Sequence, residues 1–413
     1  MSETVHIPQL RFPEFSGDWN RVKIQKLLDD KSIISHLDGN HGALYPRSEE
    51  FTKEGVPYVT ANDFINGKVD LKKCKCLPVE RASQFKKGIA HNGDVLFAHN
   101  ATVGPVALLE TDLEYVVLST TATYYRCDNN TLINKYLKVY LTSNDFVRQY
   151  SRVMSQSTRN QVPITTQRLF YINLPDKPEQ QKIAAFLTAV DSKIEQLSKK
   201  QELLGEYKKG LMQQIFSQAI RFRAGDTPGQ PLLPNGNSPS GSDFPNWEEK
   251  RLGDLCEITT GKLDANAMVE GGQYRFYTCA KEYYKIDDYA FDTDALIVSG
   301  NGANVGYIHH YQGKFNAYQR TYVLDSFTDN IIFVKFVLDE YLHKRIMKEK
   351  NEGNTPYIVM GTLTDMKINL PSFSEQAKIS NFLSSIDTKI EQVGKQLRES
   401  KQFKKALLQQ MFV

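Results

Sequence analysis

Two pairs of cations are spaced for chemistry. Arg148 with Arg152, and Lys344 with Lys348, are each four residues apart in helical-looking runs, so each pair lies on one helix face. Like charges on one face suit a phosphate backbone, and such contacts position a nucleic acid without reading its sequence. A polar loop follows each pair: Ser155-Gln156-Ser157-Thr158-Arg159-Asn160-Gln161, and Asn351-Glu352-Gly353-Asn354-Thr355-Pro356. Arg, Asn and Gln are the residue types that pair bidentately with guanine and adenine edges. Candidate base contacts are therefore Arg159, Asn160 and Gln161 in the first loop, and Asn354 and Thr355 in the second. Loops between predicted strands add Asn100 and Thr102, Asn301 and Asn304, and Gln319 with Arg320.

Other chemistries find little support. There is no Walker A sequence, so no P-loop NTPase is indicated. Gly300-Asn301-Gly302-Ala303-Asn304-Val305-Gly306 is not GxGxxG, and its counterpart His99-Asn100-Ala101-Thr102-Val103-Gly104 lacks the first two glycines; both read as tight strand-to-strand loops. Cys74-Lys75-Cys76 has no second pair nearby. His309-His310 follows a predicted strand, has no acidic or cysteine partner at ligand spacing, and reads as structural. Pro175-Asp176 ahead of Glu179 and Lys182 superficially matches a nuclease signature, but the second copy of this segment has Pro371-Ser372, without the acid. No catalytic residue and no metal ligand is assigned.

The whole chain sets the bounds for these features. At 413 residues it exceeds the size of one ordinary core, so two domains are expected. A net charge of +3 neither demands nor forbids nucleic acid, because a local basic face matters more than the total. Five cysteines without framework spacing, and no signal-type or membrane-spanning apolar run, predict a reduced, cytoplasmic chain.

The elements that must hold the candidates are repeated. Residues 172–216 match residues 368–412 without a gap at an offset of 196, with 22 of the 45 positions identical. Under that offset Arg148 and Arg152 fall on Lys344 and Lys348. Each unit opens with Phe-Pro and then a Trp: Phe12-Pro13 with Trp19, and Phe244-Pro245 with Trp247. From Trp to the shared Ile-Asn-Leu-Pro the first unit is 32 residues longer than the second. Asp94 to Gly104 resembles Asp294 to Gly306, each a buried strand, a polar loop and a second apolar run.

The repeated segment itself reads as a long amphipathic helix. Ile183, Val190, Leu197, Leu204 and Leu211 recur every seven residues, with Leu187 and Ile194 among the positions four further on. The second copy has Ile379, Ile386, Val393 and Leu407, with Leu383, Ile390 and Leu397. This 4-3 seam predicts coiled-coil packing over roughly 55 Å, and two copies in one chain supply each other with an antiparallel partner. Gln201, Lys208, Ser400 and Lys404 interrupt the seam, as register-setting residues do. The expected layout is a first recognition domain (1–176), a first long helix (177–217), a Pro/Gly/Ser-rich linker (218–242), a second domain (243–371) and a second long helix (372–413).

In combination these features resemble the specificity (S) subunit of type I restriction–modification systems. The resemblance rests on the Phe-Pro and Trp openings, Gly93-Asp94-Val95-Leu96-Phe97 with Val103-Gly104, Ile-Asn-Leu-Pro ahead of Glu-Gln, and the paired segments Asp191 to Gln196 and Asp387 to Gln392. It implies an α/β (α+β) fold: two mixed α/β target recognition domains in tandem, each followed by a long helix, with the two helices forming an antiparallel coiled coil. It further implies that each domain reads one half of a bipartite site in double-stranded DNA and that the helices set the unread spacer. In such systems the S subunit is non-catalytic. It docks two methyltransferase (M) subunits, which bind S-adenosylmethionine and methylate adenine. Restriction (R) subunits, which use ATP and Mg, complete the nuclease. Residues alone also fit a coiled-coil adaptor with two protein-binding domains, or an enzyme with a scattered active site.

Overall fold

A computed structural model describes residues 7–39, 45–156, 160–222, 233–234, 244–349 and 356–412. The chain forms two compact units, residues 1–199 with 394–413, and residues 200–393. The expected α+β class is found in both.

In the first unit a six-stranded sheet is built, in spatial order, from Ile33–Asp38, Ala122–Cys127, Val95–Asn100, Thr102–Leu108, Lys68–Val69 and Phe64–Ile65. Its strands are apolar on both faces, because both are covered. Val95, Phe97, Val106, Leu108, Tyr125 and Cys127 face the helices. Their neighbours Leu96, Ala107, Ala122 and Tyr124 pack on the other side with Val59, Ala90, Val116 and Leu118. The latter belong to a four-stranded sheet ordered Lys75–Leu77, Val56–Val59, Val116–Leu118, Ile89–Ala90.

The second unit repeats the six-stranded sheet as Glu257–Thr260, Thr321–Asp325, Phe291–Ser299, Ile308–Ala317, Tyr274–Tyr277 and Tyr284–Ile286. The fifth strand runs parallel to the fourth in both units. The four-stranded sheet has no counterpart among the described residues of the second unit, which accounts for the length difference. The face of Ile297 and Val323 is instead closed by Tyr277, Phe315 and Tyr311. A short antiparallel ribbon also recurs: Asn20–Lys23 pairs with Tyr171–Leu174, and Glu248–Arg251 pairs with Lys367–Leu370.

The long helices run Lys177–Phe216 and Phe373–Gln410. In the first unit Ile183, Ala184 and Leu187 share a core with Leu407, Met411 and Phe412. In the second, Met212, Ile215 and Phe216 share one with Ile379, Leu383 and Ile386. The start of one helix thus meets the end of the other, an antiparallel pairing. Leu197, Val393 and Leu397 are also buried, whereas Val190, Ile194, Leu204, Leu211 and Ile390 are half-buried. The seam lysines have partners at the same offset: Lys404 Nζ lies 2.5 Å from Asp191 Oδ1, and Lys208 Nζ lies 2.6 Å from Asp387 Oδ1. Lys138 adds a second ammonium 3.7 Å from Asp191; burial lowers its pKa, and Asp191 opposes that shift.

The first-turn glutamates are more than dipole partners. Glu179 and Glu375 are buried, 1% and 0% exposed. Arg11 grips Glu179 through Nε and Nη2, both at 2.8 Å, and Trp19 Nε1 donates to it at 3.2 Å. Arg221 grips Glu375 in the same two-pronged way, at 3.1 and 2.7 Å. Arg221 falls in the segment expected to be linker, yet Ile220–Arg221 is a strand paired with Leu233–Pro234, and Ile220 and Phe222 are buried in the second unit's core. Apolar neighbours at Ile220 and Phe222 override the linker-like composition that follows. Removing one partner of a buried pair strands the other charge. Arg11→Ala and Arg221→Ala are each expected to cost about 3 kcal/mol in urea unfolding; losses below about 0.5 kcal/mol would mark these contacts as surface-like.

Candidate nucleic-acid interface

In the first unit two distant polar segments meet at one hairpin tip. Strands Val95–Asn100 and Thr102–Leu108 turn at Ala101, whose φ of 63° is left-handed. The post-helix loop docks there: Asn100 bridges Gln161, Ala101 N–H donates to Asn160 O at 3.0 Å, and Val162 N–H donates to His99 O at 2.8 Å. Asn100, Thr102, Asn160 and Gln161 are therefore brought together. Thr102 and Asn160 are exposed, and the other two are half-buried. Beneath them buried Gln167 accepts from Tyr125 Oη at 2.7 Å and Thr123 Oγ1 at 3.1 Å, and donates to Val162 O at 2.9 Å. This polar anchor escaped the sequence reading, because a lone Gln in a short helix carries no periodic signal.

The second unit builds the same junction from different residues. Asn301 bridges Tyr357, and Ile358 N–H donates to Gly300 O at 2.8 Å. The anchor is Tyr322, whose hydroxyl donates to Ile358 O at 2.8 Å. Gly300 N–H donates to Arg320 O at 2.9 Å, which brings the exposed Arg320 beside the hairpin. Asn304 is committed locally, with Nδ2 donating to Cys279 O at 3.0 Å, and Gln319 Nε2 donates to Asp264 Oδ1 at 2.9 Å. Arg159, Asn354 and Thr355 lie outside the described residues.

The basic pairs sit on the helices that support these hairpins, Asn144–Ser155 and Ile331–Glu349. Midway between each pair, on the opposite face, Tyr150 and Ile346 pack under glycines. A Cβ at Gly104 would meet Tyr150 Oη at 2.8 Å, and one at Gly306 would meet Ile346 Cδ1 at 2.9 Å. Tyr150 and Ile346 are related by the same 196 offset. Arg148 and Arg152 consequently face outward, exposed and with no ion-pair partner among the described residues. They do not join the hairpin tip. Lys344 is exposed but paired with Glu340 and lies over the Tyr341 ring, while Lys348 is exposed.

Other polar groups are engaged in local contacts. His309 and His310 lie within the strand Ile308–Ala317 rather than after a strand, and cross-strand pairing gives His310 an acidic partner that sequence spacing concealed, Asp294 Oδ1 at 2.8 Å. Asp94 does not match Asp294: it is 1% exposed and held by Arg126 at 2.8 Å. Burial pushes the Cys74 thiol up to about 12. Among the described residues no group of three or more His, Cys, Asp or Glu is placed to hold a metal. Among the described residues no helix is long and apolar enough to cross a membrane. A cavity of about 290 Å³ against the long helices is lined by Lys138, Asp191, Glu195 and Lys404 and by none of the candidate contacts. Gly104→Ala and Gly306→Ala are expected to destabilise the chain by about 1–3 kcal/mol, read by urea unfolding; an unchanged midpoint would show that hairpin and helix are not in tight contact.

Comparison with known proteins bears on both units. A family sequence model described as "Type I restriction modification DNA specificity domain" matches residues 34–204 and 245–399. The EcoDI specificity subunit of Escherichia coli is 40% identical over 167 residues, 39% of this chain and 37% of that protein. The putative MjaX specificity subunit of Methanocaldococcus jannaschii is 24% identical, and the match spans 47% of its length. These two matches thus span less than half of each relative. The MjaVIII specificity subunit of the same archaeon is 23% identical, with 97% of this chain and 92% of that protein covered. Among solved structures, the type I restriction–modification S subunit from M. genitalium superposes with a TM-score of 0.64 at 17% identity, covering 98% of this chain and 99% of that one.

Proposed function

Because the chain belongs to the type I restriction–modification DNA specificity family, we propose that it is the sequence-specificity subunit of such a complex, each unit reading one half of a bipartite site in duplex DNA. One observation carries this reading. In both units the hairpin tip is met by the chain that follows the basic helix through matching contacts, Asn100 with Gln161 and Asn301 with Tyr357, while most of the surrounding side chains differ. A common frame with unlike side chains is what two readers of unlike half-sites require.

This reading gives the candidate residues the following roles. Asn100, Thr102, Asn160 and Gln161 in the first unit, and Asn301 and Arg320 in the second, present donors and acceptors to base edges. The same role is proposed for Arg159, Asn354 and Thr355, which lie outside the described residues. Asn304 and Gln319, already hydrogen-bonded within the chain, shape the second loop cluster. Arg148 and Arg152 hold phosphates flanking the site, as do Lys344 and Lys348. The paired helices set the spacer and dock two methyltransferase subunits. In this reading the chain carries no catalytic step. S-adenosylmethionine is bound by those partners, and ATP and Mg by restriction subunits where these join.

A salt titration tests the phosphate role. Each phosphate contact contributes about 0.9 to the slope of log affinity against log salt. Arg148→Ala with Arg152→Ala should lower the slope of the assembled complex by roughly 1.8 and weaken binding to all duplexes alike. Removing Lys344 and Lys348 should lower it less, because Glu340 already neutralises Lys344. An unchanged slope in the arginine variant would remove the clamp from the proposal.

A further inference from the structure

Among its described residues the second unit has no counterpart of the four-stranded sheet that covers the corresponding face of the first. Its place is taken by rings around one cation. Arg275, on the strand Tyr274–Tyr277, has its guanidinium carbon 4.3 Å from the Tyr283 ring centroid and 4.2 Å from that of Tyr311. Its Nη1 donates to Tyr277 Oη at 3.2 Å. Arg275 is half-buried, and Tyr283 is 41% exposed. No carboxylate pairs with Arg275 among the described residues.

This cluster is continuous with the candidate interface. The Tyr277 ring lies 4.9 Å from His309, and His309 lies 4.9 Å from Tyr307 at the foot of the hairpin. The segment joining Tyr277 to Tyr283 also braces that hairpin: Cys279 O accepts from Asn304 Nδ2, and Ala280 O is hydrogen-bonded to His309 Nε2 at 3.1 Å.

Resting on the DNA-recognition reading above, we infer that Arg275, packed against Tyr283 and Tyr311, reads a guanine in the half-site of the second unit. With Nη1 already donating to Tyr277 Oη and two tyrosine rings within cation–π distance, what Arg275 keeps for a ligand is its remaining N–H groups, which lie in the guanidinium plane. The complementary target is a pair of acceptors in one plane, and guanine presents O6 and N7 in that arrangement in the major groove. These contacts also hold the side chain before binding, so little rotamer freedom is lost on contact. Among its described residues the first unit has no equivalent. The strand in that position holds Lys68, whose ammonium lies 3.8 Å from Glu110 and 3.9 Å from Glu195.

The test maps methylated adenines in a host expressing the full complex with wild-type, Arg275→Lys or Arg275→Ala chain. Wild type should give two half-sites, one of them containing a G·C pair that both variants relax. Discrimination at that pair should fall about ten- to a hundred-fold, with the other half-site and the spacer unchanged. The intact half-site serves as the internal control for folding. In parallel, the wild-type complex is titrated with duplexes carrying 7-deazaguanine at each guanine in turn. One position should weaken binding several-fold, and that sensitivity should vanish in Arg275→Lys. An unaltered motif with uniformly lower methylation would make Arg275 a phosphate contact and overturn the inference. So would a motif in which no guanine responds. Failure of the underlying reading looks different: wild type itself would give no bipartite motif.

Discussion

The structure depends on one packing constraint: each unit's core is closed by the end of a helix that begins in the other repeat. In the first unit Phe412 lies against Trp19, Tyr136 and Tyr140. In the second, Phe216 fills the equivalent place against Phe333 and Tyr341. Those aromatic ends cannot be buried unless the two helices run in opposite directions. The strong similarity of the two helices follows, because each must serve as seam, first turn and core plug in turn.

Charges make that packing specific. A purely apolar seam tolerates slippage, whereas Lys208 with Asp387 and Lys404 with Asp191 pair only in one register. Breaking a buried pair is costly even where forming it gains little, so the Arg11–Glu179 and Arg221–Glu375 contacts fix where each helix begins more than they add stability. In each unit the hairpin that carries the candidate contacts has a glycine that lets a helix approach closely. Their side chains are free to differ because the backbone contacts that dock hairpin to loop do not depend on them.

Much of this was legible in the sequence. The duplication, the heptad seam, the direction of helix pairing, the buried hairpin strands and the exposed basic pairs follow from periodicity and offset alone. What was missed has a physical reason in each case. Arg11 and Arg221 act on carboxylates far along the chain, and no local pattern announces a long-range ion pair. Gln167 and Tyr322 do one job with different chemistry, so the repeat could not reveal them. Asp94 and Asp294 look equivalent in a string, yet one lies buried under Arg126 and the other faces His310. Arg275 has no counterpart at the same strand position of the first unit, and the three tyrosines around it, Tyr277, Tyr283 and Tyr311, come from two different strands and a loop.

The account divides the chain into a preserved frame and exchangeable readers, and a transplant tests that division directly. The segment between the ribbon strands of the second unit, 252–366, would replace residues 24–170 in the first, with both long helices kept. Methylation mapping of the resulting complex should show a site whose two halves carry the same base requirement, the one read by the second unit in the wild-type protein. Persistence of the original first half-site would contradict the account, since it would place base reading in the frame rather than in the segments it holds.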